Sequence, residues 1–155
     1  MEMNFSDSSI GELLRKGFEY DFWATMRWYN AVRLMRNQES ASPVVQHILT
    51  TQRVWLERCG YPVESVPRAA TRSAFEAASE AWLKLISTEP LDKMIAYKDF
   101  RGRDHERPLG EIAWHVINHG TFHRGHLRGL AQAEGFDEFA DTDLIYYTDE
   151  LAKNG

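Results

Sequence analysis

Apolar residues recur at spacings of three, four and seven along four stretches of the chain, which is the period of amphipathic α-helices. The first helix is predicted over residues 9–36, and Asp21 falls near the middle of its apolar face. A second helix is predicted from Ser42-Pro43, a cap residue followed by proline at the first helical position, to about Cys59. The inward stripe of this second helix consists of Val44, Val45, Ile48, Gln52, Trp55 and Cys59.

Two further helices and a hairpin complete the pattern. The third helix is predicted from Arg72 to Ser87, and the fourth from Leu109 to about Glu134. Between them, two short runs around 99–104, with Gly102 in the turn, predict a small hairpin. The tail, 136–155, carries aromatic side chains that we expect to pack back onto the helices.

These elements predict an all-α fold, a single domain over residues 1–155 built as a four-helix bundle with a small hairpin between helices three and four. The connection from 60 to 70 is unusually long. Its length allows it to extend to about 36 Å, whereas helix two is only about 26 Å long. The connection can therefore cross the whole bundle and leave helices two and three parallel.

Composition narrows the functional class. The chain has 155 residues, 43% of them hydrophobic, and a formal net charge of -5, which is typical of a globular protein and argues against a general nucleic-acid binder. Cys59 is the only cysteine, so an intramolecular disulfide and a cysteine-rich zinc site are excluded. The first residues do not resemble a signal peptide, and no stretch approaches the roughly 20 apolar residues of a membrane span. We expect a cytoplasmic protein that acts on a small molecule, without a nucleic-acid or membrane partner.

Four of the six histidines lie in one short segment, HVINHGTFHRGH, at residues 115–126. On a helical wheel at about 100° per residue, one stripe of helix four holds Ile112, His115, His119, His123, His126 and Leu130. This stripe is predicted to face the core. Imidazoles on such a face need partners for their nitrogens.

A metal ion would satisfy several of these imidazoles at once. Two histidines at i and i+4 on a helix can bind one ion, and the spacing allows either His115 with His119 or His119 with His123. His47, the other histidine on a predicted helix, is the candidate third ligand. Three histidines leave one position open for water, as in catalytic sites. The competing interpretation is that the histidines are hydrogen-bonded core residues without a metal.

Several segments resemble one known family. HVINHGTFHRGHLRGLAQAEG is similar to the signature helix of the DinB/YfiT-like superfamily, whose members carry a pattern of the type HvxNHxxyHRGQ. QHILTTQRVWLERC resembles the second helix of that family, YDFWATMRWYN its first, and DTDLIYY at 141–147 its closing segment. The resemblance covers nearly the whole chain in the right order, and it implies a four-helix bundle of up-down-down-up topology.

The resemblance also implies a metal triad, formed by one histidine of helix two and the two histidines of the NHxxxH motif in helix four. In this chain these are His47, His119 and His123. The implied ion is a divalent transition metal, Zn, Ni or Fe, all of which accept imidazole ligands. The usual glutamine after HRG is replaced by His126, which we interpret as a polar pocket residue. The alternatives are an extra metal ligand, a proton carrier, or a tolerated exchange that packs in the core. His115 matches a family position outside the triad and is expected beside the site or in the core.

For two charged residues, the sequence predicts specific contacts. Asp21 can orient a ligand histidine through the second ring nitrogen, or it can lie partly exposed at the end of the bundle. Arg124 lies about 140° around helix four from His119. We therefore expect Arg124 to form a salt bridge between helices and not to reach the metal.

Members of the family with assigned activities use a low-molecular-weight thiol for transfer or isomerisation, or act as hydrolases. The resemblance therefore implies a metal-dependent enzyme of the thiol-dependent S-transferase type, with a thiol cosubstrate and a second small-molecule substrate. The alternative is a non-catalytic metal- or small-ligand-binding protein of the stress response. Family members often dimerise through helix faces, so we expect a homodimer, and Trp23, outside the helix-one stripe, is compatible with such a contact.

Overall fold

A computed structural model describes residues 8–139 and 141–155 of the chain. Within them, four long helices form the bundle, and their bounds are α1 Ser8–Val32, α2 Gln38–Arg58, α3 Arg72–Thr88 and α4 Leu109–Ala133. The remaining elements are a 3₁₀ turn at Val63–Ser65, strands β1 Met94–Lys98 and β2 Asp104–Pro108, and helix α5 Leu144–Asn154. The prediction of a helical bundle with a hairpin between the third and fourth helices is confirmed.

Hydrogen bonds at the helix ends define the direction of each helix. The side chain of Gln46, in the first half of α2, accepts a hydrogen bond from the amide of Ala70 at 2.9 Å, just before α3 begins. The carboxylate of Glu134, at the end of α4, accepts hydrogen bonds from the amides of Arg36 (3.0 Å) and Asn37 (2.9 Å), just before α2 begins. Helices α2 and α3 therefore start at the end of the bundle where α1 and α4 finish, which is the up-down-down-up order. The α2–α3 connection crosses the bundle, as its length predicts.

Helix α2 begins at Gln38, four residues before the predicted start at Ser42-Pro43. The side chain of Asn37 caps it by accepting a hydrogen bond from the amide of Ser40 at 3.3 Å. The helix then continues through Pro43, which removes one backbone hydrogen bond close to the start, where unpaired groups are usual. The predicted start was wrong because the proline was taken as the first helical residue.

The tail forms a helix that the sequence pattern did not predict. Tyr147 of α5 is 7% exposed and packs against Tyr20 and Trp23 of α1, with ring centroids 5.9 and 5.3 Å apart. The indole of Trp23 also donates a hydrogen bond to Glu150 at 2.9 Å. Trp23 thus has its packing partner within its own chain, and the homodimer stays a prediction.

Aromatic packing holds the helices together, and the hairpin lies against one end of the bundle. The rings of Phe18 in α1 and Trp82 in α3 are buried and stacked, with centroids 5.0 Å apart. In the hairpin turn, the carboxylate of Asp99 accepts hydrogen bonds from the amide of Arg103 at 3.0 Å, and Gly102 adopts a φ of 77°. Strand β2 leads directly into α4, so the hairpin lies beside the start of that helix. Among the described helices, none combines the length and apolar character that a bilayer crossing requires.

Candidate metal centre

Three imidazoles converge in the groove between α2 and α4. His119 and His123 are four residues apart on one face of α4, and His47 approaches from α2. One candidate ligand nitrogen from each of them lies within 4.8 Å of the other two. The Nε2 atoms of His47 and His119 are 3.1 Å apart, close to the roughly 3.3 Å between two ligand nitrogens of a tetrahedral ion bound at about 2.0–2.1 Å. The cluster therefore has the dimensions that a single ion requires.

The hydrogen bonding of the cluster also fits a metal ion. Among the described residues, the buried Nδ1 atom of His123 has no hydrogen-bond partner, which is unfavourable for a polar atom removed from water. The Nε2 atom of His119 has the hydroxyl of Thr51 at 3.5 Å as a further neighbour. Imidazole nitrogens are suitable ligands for Zn²⁺, Ni²⁺ and Fe²⁺. The residues present thus match a divalent transition-metal ion in donor type and in number.

The surroundings of the two α4 histidines favour the form that binds metal. Burial and the neighbouring His123, His47 and His115 together lower the pKa of His119 to about 4, burial being the largest cause. Burial also lowers the pKa of His123, with His47 and His126 adding to the effect. These shifts leave the imidazoles of His119 and His123 neutral at pH 7. Their lone pairs are then available to an ion without displacement of a proton.

The cluster lies at the surface of the groove. His47 is exposed, whereas His119 and His123 are half-buried. The same face of α2 continues from His47 through Thr51 to Trp55 at intervals of four residues. A small molecule can therefore approach the three imidazoles from solvent along a wall that α2 and α4 build together.

The two other histidines of the motif are outside the cluster. His115 is exposed and its ring packs against Trp55, with centroids 5.4 Å apart. His126 is exposed, and its ring centroid lies 6.4 Å from that of His123. Of the two pairs that the spacing left open, the structure joins His119 and His123 with His47.

The histidine stripe is not the core-facing stripe of α4, and that prediction was wrong. The buried positions are Leu109, Gly110, Ile112, Ala113, Val116, Gly120, Arg124, Leu127 and Ala131. Most of them centre about 100° around the helix from His119. The histidines therefore lie along the edge of the buried face, where side chains from α2 can meet them and solvent can reach them.

Asp21 forms part of a buried ion pair. Its side chain is 2% exposed, and one carboxylate oxygen accepts a hydrogen bond from Nη1 of Arg124 at 2.5 Å. The other oxygen accepts a hydrogen bond from Nε2 of Gln52 at 2.8 Å. Both oxygens are thus bonded to these two side chains and not to a histidine, and Asp21 does not lie exposed at the end of the bundle. The salt bridge expected for Arg124 is confirmed.

The same network explains why position 120, beside the candidate ligand His119, is a glycine. A Cβ atom on Gly120 would lie 2.1 Å from Oδ1 of Asp21 and 2.9 Å from Nη1 of Arg124. Burial raises the pKa of Asp21, while Arg124 and the hydrogen bond from Gln52 oppose that shift. Helix α4 therefore presents histidines to the groove and a buried guanidinium to α1 within the same two turns.

The sequence interpretation missed the residues that extend the site toward the hairpin. Trp55 packs against Tyr97 of β1, with ring centroids 4.8 Å apart, as well as against His115. The spacing of Trp55 eight residues after His47 is the signal that could have placed it on the same face of α2. Tyr97 has no such signal, because its position depends on how the hairpin folds over the bundle.

Comparison with known proteins places these residues in a family context. The model of the DinB family matches residues 28–149, a range that contains all three histidines of the cluster. The chain is 22% identical over 160 residues to "Protein DinB" of Bacillus subtilis (strain 168), which covers 85% of this chain and 91% of that protein. No solved structure shows a significant match to the chain.

Proposed function

The chain belongs to the DinB family, and on this premise we propose that His47, His119 and His123 bind a divalent transition-metal ion, Zn, Ni or Fe. The observation that carries the proposal is the convergence of three imidazole nitrogens from two helices within 4.8 Å. The lowered pKa values of His119 and His123 support it further, because a neutral imidazole binds metal without first losing a proton.

The same site supports a metal-dependent enzyme of the thiol-dependent S-transferase type. When bound at such a site, the ion polarises a water or a thiol and lowers its pKa, which provides a nucleophile near neutral pH. The three histidines would hold the ion, and the exposed side of the cluster at His47 would admit the low-molecular-weight thiol. The wall formed by Thr51 and Trp55 would orient the second small-molecule substrate beside it.

Metal content tests the first part of the proposal. The protein is purified without a metal-affinity tag, and bound metal per chain is measured by elemental analysis for the wild type and for His47→Ala, His119→Ala and His123→Ala. We expect about one ion in the wild type and a loss of binding in each variant, because two imidazoles hold an ion less tightly than three. His126→Ala is the matched control, since it removes an exposed imidazole outside the cluster. A chain that takes up neither added Zn²⁺ nor added Ni²⁺ contradicts the proposal.

Catalysis needs a separate experiment. The metal-loaded protein is offered small thiols together with electrophilic cosubstrates, and the loss of free thiol is followed with time. Thiol consumption that disappears in His119→Ala supports the transferase. A protein that binds metal tightly but consumes no thiol is a non-catalytic metal- or small-ligand-binding protein, and that outcome rejects the enzyme proposal alone.

A further inference from the structure

A cavity of about 250 Å³ lies at the hairpin end of the groove between α2 and α4. Its lining consists of Trp55, Tyr97, Arg107, Glu111, Ile112 and His115. His115 connects it to the metal centre, because its ring centroid is 6.0 Å from that of His119. The cavity therefore lies beside the histidine cluster and shares no lining residue with it.

Two opposite charges line this cavity without neutralising each other. The guanidinium of Arg107 donates a hydrogen bond to the carbonyl oxygen of Glu106 at 2.7 Å, and it has no carboxylate within ion-pair distance in the part of the chain that the structure describes. Across residues 8–139 and 141–155, the side chain of Glu111 makes no hydrogen bond or ion pair. One cation and one anion are thus both available to a ligand at the same cavity.

The same cavity has an aromatic wall, which neighbouring side chains hold in place. The rings of Tyr97 and His115 both meet the Trp55 indole edge to face, at 4.8 and 5.4 Å between centroids. Arg58 lies over the Trp55 ring at 4.5 Å and donates a hydrogen bond to the carbonyl oxygen of Lys98 at 2.9 Å, which ties α2 to the hairpin. An aromatic wall in a cavity that also holds one unpaired cation and one unpaired anion complements a ligand that carries a carboxylate, an ammonium group and a short hydrocarbon.

We propose that this cavity binds the zwitterionic α-amino-acid end of the small molecule whose reacting end faces the histidine cluster. Arg107 binds the carboxylate, Glu111 binds the ammonium group, and Trp55 packs against the carbon atoms between them. The assignment of a reacting end rests on the proposed function. His115 and His119 are one helical turn apart, about 6 Å, and two extended residues span about 7 Å. These lengths favour a molecule of about dipeptide size with a free amino-acid end, and under the proposed function this molecule is the thiol.

The test uses a probe that carries the two charged groups and cannot bind metal as a thiolate. S-methyl-L-cysteine has both groups, its N-acetyl derivative lacks the ammonium, and its amide lacks the carboxylate. Binding to the full-length, metal-free protein is followed by ¹H–¹⁵N NMR, through the indole N–H of Trp55 and the amides of residues 105–107 and 109–112. We expect the wild type to bind the free amino acid about 10- to 100-fold more tightly than either blocked probe, since each charged hydrogen bond contributes at this level.

Two variants identify the residue that recognises each group. Arg107→Gln should abolish the preference for the acid over the amide, and Glu111→Gln should abolish the preference for the free amine over the N-acetyl form. Arg101→Gln and Glu106→Gln are matched controls, because both residues are exposed on the same hairpin and neither lines the cavity. Both controls should retain both preferences.

The assignment is overturned if the three probes bind equally, or if the NMR chemical-shift changes lie outside the cavity. It is also overturned if only one of the two variants changes its preference. These outcomes are independent of the metal, because the probe is measured on metal-free protein. Probe binding that depends on both charges in a chain without metal affinity would reject the proposed function alone. If the protein binds metal but neither variant changes the preference among the probes, this inference alone is rejected.

Discussion

Replacing Arg124 by methionine should destabilise the fold by about 3–5 kcal/mol, because it leaves the carboxylate of Asp21 buried without its cation. The two side chains are 3% and 2% exposed, and Nη1 of Arg124 lies 2.5 Å from Oδ1 of Asp21. The variant also loses hydrogen bonds of 3.0 Å from the guanidinium to the hydroxyls of Thr25 and Thr121. Among the described residues, only Gln52 then still donates a hydrogen bond to the carboxylate.

Urea unfolding followed by circular dichroism measures this loss as a change in the free energy of unfolding. The double variant Asp21→Leu/Arg124→Met should be more stable than Arg124→Met alone, since removing both charges also removes the desolvated carboxylate. The two residues are in contact, so the effects of the single changes should not add in a double-mutant cycle.

The pH dependence gives a second readout with a defined sign. Burial already raises the pKa of Asp21, and Arg124 opposes that shift, so its removal raises the pKa further. A carboxyl whose folded pKa lies above its unfolded value of about 3.9 contributes stability at low pH that is lost as the pH rises through the folded pKa. The deficit of Arg124→Met relative to wild type should therefore shrink as the pH falls from 7 towards 4. A deficit below about 1 kcal/mol at pH 7, or one that does not change with pH, would refute the reasoning.

Three other changes test separate features. Gly120→Ala should destabilise the protein by about 1–3 kcal/mol in urea unfolding, because its Cβ would lie 2.1 Å from Oδ1 of Asp21; an unchanged midpoint would contradict this. Cys59 is 7% exposed and burial raises its pKa to about 11, so Ellman's reagent should modify it far more slowly in the native protein at pH 8 than in urea. His126→Gln should change stability by no more than about 0.5 kcal/mol and leave metal content intact, and a loss of metal would make His126 a ligand.

Much of the fold could be predicted because its determinants are local. The bounds of α3 and α4 fall within one residue of those predicted, since Thr71 caps α3 and a glycine follows α4. The length of the connection between α2 and α3 correctly predicted a parallel pair. The missed helix α5 is stabilised instead by its contact with α1, through Tyr147 and Glu150, which no local pattern reveals.

In the candidate site, too, the features that depend on local sequence could be predicted, whereas those that depend on contacts between helices could not. The predicted helices made His47 the candidate third ligand but left two histidine pairs on α4 open, and the family resemblance selected His119 with His123, in agreement with the cluster that the structure contains. The orientation of α4 could not be predicted from hydropathy, because its buried face includes Gly120 and Arg124. Neither residue type is recognised as a core residue by an apolar pattern.

The polar residues that interrupt the apolar faces of the helices are hydrogen-bonded to one another. Asp21 on α1 and Gln52 on α2 are polar residues on the buried faces of their helices. The carboxylate of Asp21 accepts hydrogen bonds from both Gln52 and Arg124, so the three side chains form one buried network. Turning α4 by one residue would rotate it by about 100°. The guanidinium would then leave Asp21, and His119 would leave His47. We infer that the ion pair, together with the close approach at Gly120, fixes the rotation of α4 at which its histidines meet α2. In that interpretation the buried charges contribute more to the geometry of the candidate metal centre than to the net stability of the bundle.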